Sequence, residues 1–402
     1  MNSCCVVGLG YIGLPTAALF SMNGFSVLGV DINLDIVNSV NKGISPIEEP
    51  SLKDVIKNVV NQGSLKASSK PYYADIFVIA VPTPIKKHPK LPQPNLKFLQ
   101  DAIESIVPFL KKGNIIIIES TSPVGTTKKF FSLIIEKTNL KEDQIFMAYC
   151  PERVLPGRIM IEISTNKRII GWINDNSSLK IKEIYNKLCE AEVFVTDSET
   201  AELVKLAENA YRDLNIAFAN ELSIISSKLG IDVSEVISFT NHHPRVNILR
   251  PGCGVGGHCI ALDPWFLISQ FPADTKIMQM SRQVNNYKTE WTIKKINDFI
   301  EKQKITIQND PAIGVFGLTF KANVNDLRES PALKIAKELS KKNKTFFCDP
   351  CISEFNDFVT YSIEETLLNS DILVFLVAHK EFKNIKVKGK KFLDFCGLFD
   401  EI

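Results

Sequence analysis

The run Cys4-Cys5-Val6-Val7-Gly8-Leu9-Gly10-Tyr11-Ile12-Gly13 constrains this chain more than any other segment. A strand-length apolar stretch feeds G-x-G-x-x-G, and a stretch of helical character, Gly13 to Asn23, follows. The first glycine of such a turn makes the bend. The second lets the backbone approach a pyrophosphate, and the third allows helix to pack closely on strand. Ser26 to Val30 reads as a second strand ending in Asp31, 18 residues after Gly13. A carboxylate there accepts hydrogen bonds from adenosine ribose hydroxyls and repels a 2′-phosphate, which favours NAD over NADP. Gly8, Gly10, Gly13 and Asp31 are the first cofactor candidates.

The same plan continues beyond Asp31. Ile76 to Val81 and Ile115 to Ile118 are continuous aliphatic runs of strand length. Strands buried on both faces and separated by helical stretches mark a doubly wound parallel sheet. Val81-Pro82-Thr83-Pro84 and Glu119 to Gly125 follow those strands, where strand ends face a ligand crevice. Thr83 and Thr121 are therefore candidate cofactor contacts. Glu199 to about Leu229 contains no proline, with Asp197 or Ser198 to cap its start and Gly230 to close it. A helix of ~30 residues spans ~45 Å and suits a spine between lobes or a dimer interface. The last hundred residues repeat the opening: strand Ile313 to Leu318, helix Ser330 to Lys341, and strand Thr345 to Cys348 ending in Asp349. Ser370 to Phe375 likewise echoes Ala74 to Ile79. The expected fold is α/β, with two Rossmann-like doubly wound lobes joined by a long central helix and a helical middle domain. The expected boundaries are 1–195, 196–300 and 301–402.

Composition narrows the function classes. A formal net charge of +2, with short scattered basic clusters, argues against nucleic-acid binding. No apolar run approaches the ~20 residues of a membrane span. Met1 leads straight into a strand without a basic n-region, so no signal peptide is expected. Nine irregularly spaced cysteines fit a reducing compartment, and the cytoplasm is the expected location.

Three features carry candidate chemistry. Lys205, Asn209 and Arg212 share one face of the long helix. A solvated stripe is the plainer reading of these residues alone, but a Lys–Asn pair can donate to an oxyanion. Cys259 follows Pro251 to His258, in which four of six consecutive positions are glycine, and Asp263 lies four residues on. A thiol beside such a loop is a candidate nucleophile, although a buried packing role is the commoner fate of a cysteine. His258 reads as structural. Cys348 and Cys351 form a lone C-x-x-C without a second pair, so no metal is expected. Phe320-Lys321 and Asp326 to Ser330 follow the first strand of the second lobe, where Lys321 and Arg328 can reach phosphates or the other lobe.

Read together, these segments resemble the UDP-glucose/GDP-mannose dehydrogenase family. The resemblance rests on Gly-Leu-Gly-Tyr-Ile-Gly-Leu-Pro at 8–15, Cys-Pro-Glu-Arg-Val-Leu-Pro-Gly at 150–157 and Lys-Leu-Ala-Glu-Asn at 205–209. Gly-Gly-His-Cys at 256–259 and Phe-Lys-Ala-Asn-Val-Asn-Asp-Leu-Arg-Glu-Ser at 320–330 complete it, in order along nearly the whole chain. His243 to Ile248 and Cys259 to Phe266 are most similar to the branch that oxidises UDP-N-acetyl-D-mannosamine, with a UDP-N-acetylglucosamine 6-dehydrogenase as the nearest alternative. The resemblance implies Cys259 as nucleophile and Lys205 as acid/base or oxyanion donor. It implies that Asn209 assists, that Asp263 polarises water or Lys205, and that Glu152 shares the activation of water. It assigns Arg153, Val154, Lys205, Asn209, Arg212, His243, Arg245, Gly256, Phe320 and Lys321 to a UDP-sugar. Tyr11, Ile12, Asp31, Thr83, Thr121 and Arg328 go to NAD. It further implies a homodimer in which Arg245 and its neighbours reach the other subunit's site. Two departures stand out: Pro156 occupies a position that is acidic in UDP-glucose enzymes, and Cys253 one that is often proline. A two-electron hydroxyacid dehydrogenase and a non-catalytic NAD-binding regulator are the rival readings; neither needs Cys259.

Overall fold

A computed structural model gives the fold, described for residues 3–86, 88, 91–155, 157–307, 310–352, 358–387 and 389–399. The chain forms two compact units. The first is Met1–Ala207 with Trp265–Gln270, and the second is Glu208–Pro264 with Phe271–Ile402.

In the first unit the apolar runs become strands β1 (Ser3–Val7), β2 (Ser26–Val30), β3 (Leu65–Ser68), β4 (Ile76–Ile79), β5 (Ile115–Ile118) and β6 (Phe146–Tyr149). β7 (Arg168–Trp172) and β8 (Val193–Asp197) extend the same sheet. The spatial order is β8-β7-β6-β5-β4-β1-β2-β3, parallel throughout except where β7 runs against β6. The alternation of β5 shows why the run is aliphatic. Ile115 and Ile117 join a core with Leu14, Phe20 and Tyr185, while Ile116 and Ile118 join another with Phe77, Ile103 and Phe130. Both faces are buried, so every position must be apolar. Helix α1 (Gly13–Met22) follows the glycine turn, and α2 (Thr126–Lys137) follows β5.

Helix α3 (Ser198–Leu229) has the length expected of the proline-free stretch, and the Asp197 carboxylate caps it by accepting from the Thr200 N–H at 2.9 Å. A second 32-residue helix, α4 (Lys276–Ile307), was not evident from the sequence. The two helices are bound inside the second unit by buried polar groups. Asp213 Oδ1 accepts from Arg282 Nη1 and Asn285 Nδ2, both at 2.7 Å, and Asn220 Nδ2 donates to Asn285 Oδ1 at 2.9 Å. The second lobe is an all-parallel sheet ordered β10-β9-β11-β12, formed by Thr345–Cys348, Ile313–Phe316, Ile372–Phe375 and Lys391–Asp394. Helix α5 (Pro331–Ser340) starts at Ser330, whose Oγ accepts from the Leu333 N–H.

The end of β5 carries a buried acid that the motif reading passed over. Glu119 accepts from Thr16 Oγ1 at 2.8 Å and from the Tyr185 hydroxyl at 3.2 Å. Burial pushes its carboxyl up from 4.5 to about 7, against the opposing pull of Arg168. Because the folded value lies above the unfolded one, this group's contribution to stability is complete below pH 4.5 and is lost as pH rises through 7. The loss amounts to about 3 kcal/mol. Glu119→Gln mimics the protonated acid. Urea titrations from pH 5 to 8 are expected to show stability falling less steeply in the variant than in the parent, and equal slopes would refute the assignment.

Candidate active site

The glycine turn of the first unit is shaped by its own backbone at two of three positions. A Cβ on Gly8, at φ +94°, would lie 2.6 Å from the Ala80 carbonyl oxygen, and one on Gly13 would lie 1.8 Å from that of Gly8. At Gly10 a Cβ meets no described atom within 4 Å. The protein itself does not require glycine there, so the open space is available to a ligand. Asp31 stands at the tip of β2, where Oδ2 accepts from the Leu9 N–H and Oδ1 from the Asn33 N–H, both at 2.9 Å. The carboxylate thus fixes the turn. Tyr11 and Ile12 lie partly exposed on it. Thr83 Oγ1 donates to the Thr121 carbonyl at 2.8 Å, tying the loops after β4 and β5 at the same end of the sheet.

Lys205 is buried, and its Nζ donates to the Glu152 carbonyl at 2.8 Å. The Glu152 carboxylate is turned to Arg168, whose Nη1 lies 2.5 Å away, and also accepts from the Arg153 N–H at 2.8 Å. Both members of that ion pair are buried. Glu202 sits one turn before Lys205 on α3 and accepts from the Gly125 and Thr127 N–H groups and the Thr127 hydroxyl, at 2.6–2.8 Å. A carboxylate at the start of α2 satisfies N–H groups that lack helical partners. It anchors this part of α3. Neither Arg168 nor Glu202 was singled out from the sequence, since neither lies in a spacing motif. Arg153 and Val154 follow Glu152 and are half-buried; Pro156 lies outside the described residues.

In the second unit Asn209 Nδ2 donates to Asp263 Oδ2 at 2.6 Å, and both side chains are buried. The Cys259 carbonyl accepts from the Leu262 and Asp263 N–H groups at 3.0 and 2.8 Å, so nucleophile candidate and acid share one turn. The glycines before Cys259 are required by packing. A Cβ on Gly256 would stand 2.5 Å from the Glu329 carbonyl oxygen, and one on Gly257, at φ +84°, would strike the Phe320 ring at 2.7 Å. Gly257 N–H also donates to the Arg328 carbonyl at 3.0 Å. Close approach to the 320–331 segment therefore requires these glycines. Cys253 is buried with its sulfur 3.8 Å from the Leu376 carbonyl oxygen, and burial pushes its thiol up to about 12. It packs.

His258 is more than a loop residue. Asp326 holds Arg328 through Nε and Nη2, and its Oδ2 also lies 3.5 Å from His258 Nδ1. Arg328 Nη2 comes within 2.9 Å of the same nitrogen. Asp326 and the Cys259 thiol outweigh burial and that guanidinium, and the imidazole is pushed up to about 9. Arg212, His243, Arg245 and Lys321 are exposed, and Phe320 is half-buried against the glycine loop. The two groups of residues, Lys205 with Glu152 and Cys259 with Asn209 and Asp263, belong to different units.

Three family models match the chain in sequence. Residues 2–189 match the NAD binding domain of the UDP-glucose/GDP-mannose dehydrogenase family, 199–287 its central domain and 314–401 its UDP binding domain. UDP-N-acetyl-D-mannosamine dehydrogenase of Campylobacter jejuni is 45% identical, over 98% of this chain and 99% of its own length. The enzyme of that name from Escherichia coli K12 is 44% identical over 94% of each. The solved structure of UDP-D-ManNAc dehydrogenase from Pyrococcus horikoshii superposes with a TM-score of 0.92 at 34% identity, covering 100% of this chain and 96% of that one.

The His258–Asp326 contact has a direct readout. The His258 imidazole, followed by NMR, is expected to titrate at about 9 in the parent and to fall back toward 6.5 in Asp326→Asn. An unchanged midpoint in the variant would refute the assignment to Asp326.

Proposed function

The chain belongs to the UDP-glucose/GDP-mannose dehydrogenase family, and from that premise we propose that it oxidises C6 of UDP-N-acetyl-D-mannosamine to the carboxylate, using two NAD+ and one water. The observation that carries this reading is the near-full-length identity to relatives named for that substrate. The open space at Gly10, beside a turn fixed by Asp31, supports NAD as cofactor. When bound, NAD+ accepts the hydride from the sugar carbon in each of two rounds. Gly8, Gly10, Tyr11, Ile12, Gly13, Asp31, Thr83, Thr121 and Arg328 are assigned to hold it. Arg153, Val154, Arg212, His243, Arg245, Gly256, Phe320 and Lys321 are assigned to the UDP-sugar.

In this reading the Cys259 thiolate adds to the C6 aldehyde, forming a C–S bond and placing negative charge on oxygen. The Lys205 ammonium and Asn209 amide donate to that oxyanion, each worth roughly 3 kcal/mol in the barrier. After the second oxidation, water attacks the thioester carbon, the C–S bond breaks, and the thiolate is restored. Asp263, held by Asn209, takes the water's proton. Glu152 contributes through the carbonyl that holds Lys205, since its carboxylate is engaged by Arg168. Three segments, 1–195, 196–300 and 301–402, then divide cofactor binding, catalysis and UDP-sugar binding.

An exposed apolar stripe on α3 supports a homodimer. Tyr211, Phe218, Ile225 and Leu229 are 63, 50, 51 and 67% exposed and recur at helical spacing. No described helix is long and apolar enough to cross a membrane. Nine free cysteines support a reducing, cytoplasmic setting.

Counting NADH released per sugar tests the reaction: two per sugar is expected, one indicates a simple alcohol dehydrogenase, and none a binding-only protein. Cys259→Ala should bind NAD as the parent does and form no uronate; normal uronate output would end the thioester scheme. UDP-N-acetylglucosamine and UDP-glucose, run in parallel, should turn over far more slowly than UDP-N-acetylmannosamine. For the dimer, Phe218→Glu is expected to halve the mass seen by light scattering, and an unchanged dimer would place the interface elsewhere.

A further inference from the structure

Cys351, Asp349 and His379 take no part in the scheme above. Asp349 and Cys351 follow β10, and His379 follows β11, so the three meet at the carboxyl ends of the strands that flank β9. Ligand sites of open parallel sheets lie at such ends. Cys351 Sγ is 3.6 Å from His379 Nδ1, and His379 Nε2 is 3.2 Å from Asp349 Oδ2. One donor atom from each residue lies within 4.8 Å of the other two.

We propose that this cluster is a transition-metal site of Zn2+ type, with Cys351 Sγ and His379 Nδ1 as its inner ligands and Asp349 completing it. Tetrahedral zinc, with bonds of about 2.3 Å to sulfur and 2.0–2.1 Å to nitrogen, places those two atoms about 3.6 Å apart. The spacing seen is that of one tetrahedral edge. The ring is also set in the ligating form. The Asn323 N–H donates to Nδ1 and Thr319 Oγ1 lies 3.1 Å from Nε2, so Nδ1 carries the lone pair.

Other features agree. Asp349 and His379 are buried, whereas Cys351 is half-buried and gives an ion a way in from solvent. Asp349 Oδ1, which now accepts from the Cys351 N–H at 2.9 Å, retains lone-pair capacity for a third ligand bond. A sulfur–nitrogen–oxygen set favours Zn2+ or Co2+ over Mg2+ or Ca2+. The cost is one hydrogen bond: the Asn323 N–H donates to Nδ1 at 3.1 Å, and the metal takes its place. Asn323 is held at φ +61°, and its Oδ1 accepts from the Lys380 N–H. The C-x-x-C spacing misleads here: the partner of Cys351 is His379, 28 residues on, and Cys348 is a buried strand residue.

The test uses the full chain as Cys259→Ser, which removes the reactive thiol of the proposed active site, stripped with a chelator. Co2+ alone is titrated in. The expected result is a thiolate-to-cobalt charge-transfer band that saturates at one equivalent and is displaced by Zn2+. Cys351→Ala in that background, with folding checked by circular dichroism, should lose the band and weaken Zn2+ binding more than about 100-fold. Absence of the band in the Cys259→Ser protein, or its persistence in Cys351→Ala, would overturn the site.

Discussion

The rest of the structure depends on a helix that turns its polar side inward. Glu202, Lys205, Asn209, Asp213 and Asn220 follow one another on α3 at helical spacing, and all are buried. Surface helices normally bury the apolar stripe. Here each buried polar group must find a partner or pay its desolvation in full. Glu202 takes the start of α2, Lys205 the Glu152 carbonyl, Asn209 Asp263, and Asp213 Arg282. Those demands fix where each neighbouring segment runs. A hydrophobic seam would hold the same elements with less dependence on register, because apolar contact is not directional.

A second device appears in both lobes. The aspartate ending the second strand accepts from the backbone of the turn after the first: Asp31 from the Leu9 N–H at 2.9 Å, Asp349 from the Leu318 N–H at 2.7 Å. The lobes then diverge. After Gly8 the turn keeps open space at Gly10. After Gly317 it carries Leu318, Thr319 and Phe320, and the carboxylate also meets Thr319 and His379. One scaffold thus supports a nucleotide turn in one lobe and a side-chain cluster in the other.

The elements were largely legible in the sequence, for a physical reason. A strand buried on both faces must be continuously apolar, so β2, β5, β10 and α3 stand where the patterns put them, within a residue at each end. The β6–β7 reversal and α4 carry no such signature: β7 mixes Arg168 and Gly171 into its run, and α4 alternates Lys and Asn among its apolar positions. Candidate residues divide in the same way. Those recurring within one helix or one loop can be named from spacing, such as Lys205 with Asn209 and Cys259 with Asp263. Arg168, Glu202 and His379 act on groups brought near by sheet crossovers, which spacing along a chain does not record.

The glycine loop shows what that difference means for chemistry. From sequence, the glycines before Cys259 and the Phe320–Ser330 segment are two separate motifs. In the structure they form one packed unit, with Gly256 against Glu329, Gly257 against Phe320, and the Gly257 N–H on the Arg328 carbonyl. The same segment supplies Asp326, which draws a proton onto His258 beside the thiol. The charge next to Cys259 is therefore set by a loop 67 residues further along, and the loop's position is set by the absence of side chains at Gly256 and Gly257. A Cβ at either glycine would meet that segment, at Glu329 in one case and at Phe320 in the other. The imidazole beside Cys259 thus depends on two positions that carry no side chain of their own.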